Sequence, residues 1–163
     1  MTDPDRGLVE GIKQGDLCTV QLLVSRKFHR LACLFQALMN TPGAEAEALA
    51  TEILRASQLM IDSFDSDDML FDTWLHRLAV NLWRENAVKP AKAGPVGPDG
   101  LMTLAERPRL CLVLSACQGL SAREIARILS LSIQQVESAL KVAREVLERA
   151  DRDALQNGAA HAA

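Results

Sequence analysis

The 163-residue sequence has few aromatic residues, no tyrosine and no excess of positive charge. Aromatic residues make up only 4% of the chain, whereas hydrophobic residues reach 48%, so a packed interior has to be built mainly from Leu and Ala. Those residues favour helices, because they lose little rotamer freedom there. With a net charge of -3, any binding to nucleic acid has to come from a local patch of the surface.

Long apolar runs are also absent. No stretch approaches the roughly 18 consecutive apolar residues that a membrane-spanning helix needs, and the sequence begins with polar and acidic residues. We therefore expect no membrane association and a cytoplasmic location.

The sequence has little that points to catalysis or to a bound cofactor. Its four cysteines form no CxxC pair and have no metal-ligand spacing with a histidine, so we expect structural thiols rather than a redox or zinc site. The acidic run from Asp62 to Asp68 lacks the glycine and glutamate of an EF-hand and is typical of a solvated loop. No Ser/His/Asp or Cys/His arrangement and no glycine-rich phosphate loop is present. The sequence predicts no catalytic residue, no metal, no cofactor and no enzyme activity.

A segment rich in proline and glycine divides the chain. Residues 90–100 contain three of each, which neither a helix nor a central strand tolerates. We interpret this segment as a linker between a domain at 1–89 and a domain at 101–156, followed by a disordered tail at 157–163.

Apolar residues recur at three- and four-residue steps on both sides of the linker, which predicts an all-α fold. In the first domain, a short helix ends at Gly15, and Asp16 is the expected N-cap of a longer helix. That helix presents Lys27 or Phe28 within its apolar stripe. Further helices are expected over residues 44–63 and 68–88.

The second domain contains two capping boxes in close succession. In each, a serine at the N-cap is followed three residues later by Glu or Gln, as in Ser121 with Glu124 and Ser132 with Gln135. Two helices joined by a tight turn near Ser130 follow from this pattern, which is a helix-turn-helix. Because αα-hairpins are common outside DNA-binding proteins, the pattern alone leaves DNA binding open.

Several motifs, in order, resemble the extracytoplasmic-function (ECF) sigma factors of bacterial RNA polymerase. The opening Leu8-Val9-x-x-Ile12 and the later Gly119-Leu120-Ser121 match that family. Its conserved region two is matched, within residues 71–89, by Phe71, Trp74, Leu75, Arg77, Ala79, Asn81, Leu82 and Arg84. The resemblance covers nearly the whole chain.

The resemblance implies two helical lobes with different partners. The first would dock on the β′ clamp of the RNA polymerase core and capture an unpaired base of the downstream promoter element in a pocket of the loop from Phe64 to Asp72. The second would dock on the β flap and read the upstream element. The residues expected to bind DNA are Arg77, Asn81, Arg84, Lys89, Gln134, Gln135, Ser138, Lys141 and Arg144. Those expected to bind the polymerase are Leu49, Glu52 and Ile53. A further expected partner is an anti-sigma factor or another protein regulator.

Some positions depart from the family pattern. Glu137, Ala139 and Val142 stand in the recognition helix where the family usually has cations, Val80 stands at another position that is often basic, and Asp72 reverses a further charge. Loss of phosphate contacts weakens DNA binding. Two hypotheses therefore stand: a working sigma factor that directs polymerase to promoters, and a degenerate sigma-like protein that binds an anti-sigma factor or other regulator without reading DNA.

We make separate predictions for the tryptophans and the histidines of the first domain. Trp74 lies in an apolar stripe and is expected in the interior, whereas for Trp83 packing and exposure are equally favoured. His29 and His76 lie among basic residues and are expected on the surface.

Overall fold

The computed structural model describes residues 3–39, 43–87 and 100–161. Within those ranges the chain is all helical, as predicted. The α-helices are α1 (Arg6–Lys13), α2 (Leu17–Met39), α3 (Gly43–Leu59), α4 (Phe71–Ala87), α5 (Glu106–Ala116), α6 (Ala122–Leu129) and α7 (Ile133–His161). Short 3-10 helices cover Ile61–Ser63 and Gly100–Thr103. We call residues 3–87 the first lobe and residues 100–161 the second lobe.

The first lobe is a bundle in which α2 packs along α3, with α1 and α4 against them. The carboxylate of Asp16 caps α2, accepting a hydrogen bond from the Cys18 amide at 3.0 Å, which confirms the predicted N-cap. Asp3 caps α4 in the same way: its Oδ2 accepts a hydrogen bond from the Phe71 amide at 2.7 Å. The start of the chain is thereby attached to the start of α4.

Three aromatic rings fix the loop that precedes α4. The Phe64 ring lies 5.5 Å from that of Phe71 and 5.4 Å from that of Trp74, measured between centroids. All three side chains are buried, which confirms the interior position predicted for Trp74. Because Phe64 is anchored in this cluster, the loop after it is held against the first lobe.

The two lobes pack directly against each other. Helix α6 lies on α4, and α5 lies on α2, so the buried residues form one continuous core across both lobes. Val80 is 1% exposed in α4 and belongs to this core. The apolar side chain of Val80 therefore has a structural role. The interpretation of this position as a lost DNA contact is not needed to explain it.

Three predicted boundaries need correction or fall outside the described residues. The helix expected over 44–63 ends at Leu59, and a separate 3-10 turn follows it. Helix α7 continues to His161, so the tail predicted as disordered from residue 157 is helical as far as that residue. The predicted linker lies outside the described residues except for Gly100, where a 3-10 helix begins.

Candidate nucleic-acid interface

The helix-turn-helix of the second lobe has the predicted local geometry. The Ser121 amide donates to the Glu124 carboxylate at 2.8 Å and the Glu124 amide donates to Ser121 Oγ at 3.4 Å, which closes the first capping box. In the second box the Ser132 amide donates to Gln135 Oε1 at 2.9 Å. Between the two helices, Ser130 adopts the left-handed conformation with φ of 55°. Both capping boxes and the tight turn are confirmed.

Helix α7 exposes all the residues that we expected to read the upstream element. Gln134, Gln135 and Ser138 lie in its first two turns, and Lys141 and Arg144 follow on the next. The Gln135 side chain is already engaged as an acceptor in the capping box, so its amide nitrogen is the group left to contact a base. Amide and cationic side chains along one helix are suited to base edges and phosphates in a major groove.

The three unusual positions in this helix differ in their surroundings. Glu137 and Val142 are exposed, so a negative and an apolar side chain face solvent where a cation would approach a phosphate. Ala139 is 6% exposed and packs in the core. The interpretation of Ala139 as a lost phosphate contact is therefore wrong in this arrangement, because the position does not face solvent.

One face of α4 carries the residues expected to contact downstream DNA, and that face is turned toward the second lobe. Arg77 Nη2 lies 3.3 Å from Ser130 Oγ, at the turn of the helix-turn-helix. Arg84 Nε donates to Glu106 Oε1 at 2.9 Å, at the start of α5. Asn81 is exposed, and Lys89 lies outside the described residues. Two of the expected DNA contacts are thus occupied by partners within the chain.

The two candidate DNA surfaces meet in one open cleft of about 710 Å³. Arg84 lies on one side of it, and Gln134, Gln135 and Ser138 lie on the other. We call this packing of the two lobes, in which both surfaces line one cleft, the closed arrangement.

A second, smaller cavity of about 140 Å³ adjoins the loop anchored by Phe64. It is lined by Phe64 and Ser66 of the loop and by Arg6, Val9, Glu10 and Lys13 of α1. Arg6 and Glu10 pair with each other at 3.0 Å, and Phe64 is largely buried, so the groups of the cavity lining that a ligand could contact are the Ser66 hydroxyl, Lys13 and this ion pair. Sequence reasoning pointed to the loop but missed the contribution of α1, because the two segments are separated by most of the first lobe.

A polar contact at the centre of the interface joins the lobes. Gln118 is 6% exposed, and its side-chain amide donates to the Arg30 carbonyl at 3.0 Å, while Arg30 Nη2 donates to the Gln118 carbonyl at 2.9 Å. His76 Nε2 lies 3.3 Å from Gln118 Oε1, and His76 Nδ1 lies 2.7 Å from the Asp72 carbonyl. His76 is 2% exposed, so the surface position predicted for it is wrong.

A buried ion-pair network lies next to this contact. Lys27 Nζ is 2.6 Å from Asp5 Oδ2 and 2.9 Å from Asp72 Oδ1. Burial works against the charge of Lys27, but the two carboxylates outweigh it and raise its pKa. Burial would raise the pKa of Asp72, but the charges of His76, Lys27 and Arg30 prevail and lower it. Asp72 thus belongs to a structural ion-pair network, which explains why a negative charge stands at this position of α4.

The residues expected to bind the polymerase lie on α3 with different exposures. Glu52 is exposed and Leu49 is half-buried, whereas Ile53 is 2% exposed and packs in the core. Ile53 therefore supports the helix from inside and cannot itself face a partner in this arrangement. Glu52 and Leu49 are the members of the set that a docked protein could reach.

The described residues hold neither a metal-binding cluster nor a membrane-spanning helix. No three His, Cys, Asp or Glu side chains among them are placed to hold a metal ion. None of the described helices combines the length and the apolar character required to cross a bilayer. The four cysteines are free thiols, and only Cys111 is fully buried, so the expectation of core thiols is wrong for Cys18 and Cys117, which are exposed.

Comparison with known proteins gives consistent matches. The family model described as Sigma-70, region 4, matches residues 99–147. The ECF RNA polymerase sigma-E factor of Escherichia coli K12 is 26% identical, over 88% of this chain and 92% of that protein. The RNA polymerase sigma-H factor of Pseudomonas aeruginosa is 24% identical, over 91% and 94% of the two chains. The structure of CnrH in complex with the cytosolic domain of CnrY matches with a TM-score of 0.75 and 27% identity, over 90% of this chain and 96% of that chain.

The helical fold, the capped helix-turn-helix and these matches make the chain similar to RNA polymerase sigma factors over most of its length. The sigma-E relative among them is of the extracytoplasmic-function group.

Proposed function

We propose that this protein brings core RNA polymerase to a set of promoters in the cytoplasm, as a transcription regulator without enzyme activity of its own. The observation that carries the proposal is the match of both lobes together to one solved structure, over 90% of the chain. A lone helix-turn-helix would leave the first lobe unexplained. The first lobe would dock on the β′ clamp through Glu52 and Leu49, and the second on the β flap.

In this proposal, the second lobe reads the upstream element through α7. Gln134 and Gln135 approach base edges, while Lys141 and Arg144 hold phosphates. Ser138 lies between these two groups on the exposed face of the helix. The length of the exposed polar face suits the major groove, into which a recognition helix inserts its N-terminal turns.

The first lobe would bind the downstream element. Arg77, Asn81 and Arg84 would contact the strand, and the cavity between the Phe64 loop and α1 would take one unpaired base. Because Arg77 and Arg84 now contact Ser130 and Glu106, these contacts have to be exchanged for DNA contacts when the lobes separate. We propose that docking on the polymerase separates them.

A protein regulator would act on the equilibrium between the closed arrangement, in which the two lobes pack together, and an open arrangement, in which they are separated. CnrH, which shares the fold, was solved with the cytosolic domain of CnrY. We propose that this chain likewise has a protein partner, an anti-sigma factor or another regulator, that binds it when it is not on the polymerase.

A second candidate function is a sigma-like protein that engages a regulator without reading promoters. The observation on its side is Glu137, which is exposed on the recognition helix where it repels phosphates. Both candidate functions require the same fold, so only a functional measurement distinguishes them.

The experiment is a pull-down of purified core RNA polymerase with the full chain, followed by transcription in vitro from a library of genomic fragments. A working sigma factor binds the core and yields transcripts from specific start sites. Glu52→Lys is the matched variant for docking, since Glu52 is exposed and its replacement should weaken capture of the core without unfolding the protein. Core binding without specific transcripts would favour the second candidate, and failure to bind the core would overturn the proposal.

A further inference from the structure

Two cysteines that neither the fold nor the proposed function requires lie on opposite sides of the lobe contact. Cys33 is half-buried on α2, in the first lobe, and Cys117 is exposed at the C-terminal end of α5, in the second lobe. Both are free thiols. Of the other two cysteines, Cys18 lies near the start of α2 and Cys111 is buried within α5.

The hydrogen bonds between Arg30 and Gln118 place the segment that carries Cys117 against the part of α2 that carries Cys33. Gln118 directly follows Cys117, and its side chain donates to the Arg30 carbonyl at 3.0 Å. In an α-helix the carbonyl of residue i points along the axis toward residue i+4, so the Gln118 side chain lies against the turn that carries Cys33. Burial, and after it a negative charge on Cys33, raises the pKa of the Cys117 thiol, which agrees with two sulfur atoms close together.

The Cys33 thiol also has a base beside it. His29 Nε2 lies 3.6 Å from Cys33 Sγ, one helical turn away on α2. A neutral imidazole in that position can act as a general base, taking the thiol proton as the sulfur attacks an electrophile. Cys117 lacks such a partner among the described residues, so Cys33 is the cysteine that attacks an oxidant first.

We propose that Cys33 and Cys117 form a disulfide between the lobes when the protein meets a peroxide, which locks the closed arrangement. The Cys33 thiolate attacks one oxygen of hydrogen peroxide, giving a sulfenic acid and, after proton transfer, one water. The Cys117 thiol then attacks the sulfenic sulfur; the S–S bond forms as the second water leaves. Two thiols are oxidised and one peroxide is reduced to two waters. Disulfides in the cytoplasm are commonly of this transient, sensing kind.

The test begins with the chemistry and does not depend on the polymerase. The purified full chain is treated with hydrogen peroxide, alkylated, digested with trypsin and analysed by mass spectrometry without reduction. We expect peptides 31–55 and 110–123 to be joined within a monomer, with the loss of two hydrogen atoms. Because peptide 110–123 also holds Cys111, the Cys117→Ser variant has to abolish the link. The matched control, Cys18→Ser, has to keep it.

The result that would overturn the proposal is equally specific. Linkage through Cys18 or Cys111, linkage only between molecules, or oxidation of Cys33 to the sulfinic acid with no link would each contradict it. Since Cys117 is exposed, we expect the reduced Cys117→Ser variant to have the same melting temperature as the wild type. This comparison excludes misfolding as the cause of a lost link.

The consequence for regulation rests on the proposed function and is measured separately. The oxidised protein should bind core polymerase more weakly, because the covalent link keeps the two lobes from separating. Dithiothreitol should restore binding, and Cys33→Ser should be insensitive to peroxide. If the link forms but binding does not change, the locking effect is overturned while the disulfide stands. If the reduced protein also fails to bind, the proposed function is at fault.

Discussion

Gln118 and Arg30 exchange two hydrogen bonds across the contact between the lobes, each using a side chain and the other's main-chain carbonyl. The same Gln118 side chain also lies within 3.3 Å of His76 Nε2 on α4. One residue of the second lobe thus contacts two helices of the first. Because Gln118 and His76 are both buried, separating the lobes requires water to replace all of these bonds at once.

Gln118→Ala should loosen this contact. The Arg30 carbonyl and the His76 ring lose a partner, and we expect the free energy of unfolding to fall by roughly 1–3 kcal/mol. Amides of α4 and α6 should exchange with solvent faster than in the wild type, as measured by hydrogen–deuterium exchange. Gln36→Ala is the control, since the Gln36 side chain is exposed on α2. Equal protection in both variants would contradict a role of Gln118 in holding the lobes together.

The ion pairs of Asp72 predict a definite pH dependence. Its pKa is lowered in the folded state, so its contribution to stability is present above the unfolded carboxyl value near 4 and is lost as the pH falls through the lower folded value. Asp72→Asn should therefore cost roughly 1–3 kcal/mol at pH 7, and the difference from wild type should shrink as the pH falls through the lowered folded pKa of Asp72.

Urea unfolding from pH 3 to pH 8 measures this difference. Asp62→Asn provides the comparison, because Asp62 is an exposed carboxyl on the 3-10 turn. It should track the wild type throughout. A cost for Asp72→Asn that stays constant across the range would show that the charge of Asp72 is not what stabilises the fold.

The local structure could be predicted from the sequence because its causes are local. Each capping box joins residues three positions apart, and Asp16 caps the helix that it precedes, so the pattern contains both partners. The helix-turn-helix and the exposure of Gln134 and Gln135 follow from these caps. Boundaries were less predictable where a helix ends without a glycine, as α3 does at Leu59.

The contact between the lobes could not be predicted because its causes lie far apart in the chain. His76 looks like a surface residue among polar neighbours, and its buried partner Gln118 follows 42 positions later. Trp83 was equally compatible with exposure and packing; it is 3% exposed, with the Arg109 guanidinium 5.5 Å from its ring centroid. Helical periodicity reports which face is apolar within one helix, not which polar group meets another across an interface.

Gln134 and Gln135 should respond differently to substitution although they are neighbours. Gln135→Ala removes an acceptor of the Ser132 amide and should lower stability by about 0.5–2 kcal/mol, in addition to any effect on DNA. Gln134→Ala should leave thermal stability unchanged and lower only the discrimination among promoter sequences. Melting curves and transcription from promoter variants measure the two effects. Loss of stability in both variants would mean that the capping box is not the source of the Gln135 effect.

Restoring cations to α7 distinguishes a working recognition helix from a degenerate one. Glu137 and Val142 are exposed, whereas Ala139 is buried, so Glu137→Lys with Val142→Arg is the substitution that adds charge without disturbing the core. If α7 enters the groove, each new phosphate contact adds counterion release, and affinity for promoter DNA should rise with a steeper dependence on salt. Glu148→Lys adds two positive charges further along the same helix, as Glu137→Lys alone does, so comparison of these two single variants controls for net charge. Equal gains from Glu137→Lys and from Glu148→Lys would mean that α7 attracts DNA only through general electrostatics, which is the behaviour of a sigma-like protein that no longer reads promoters.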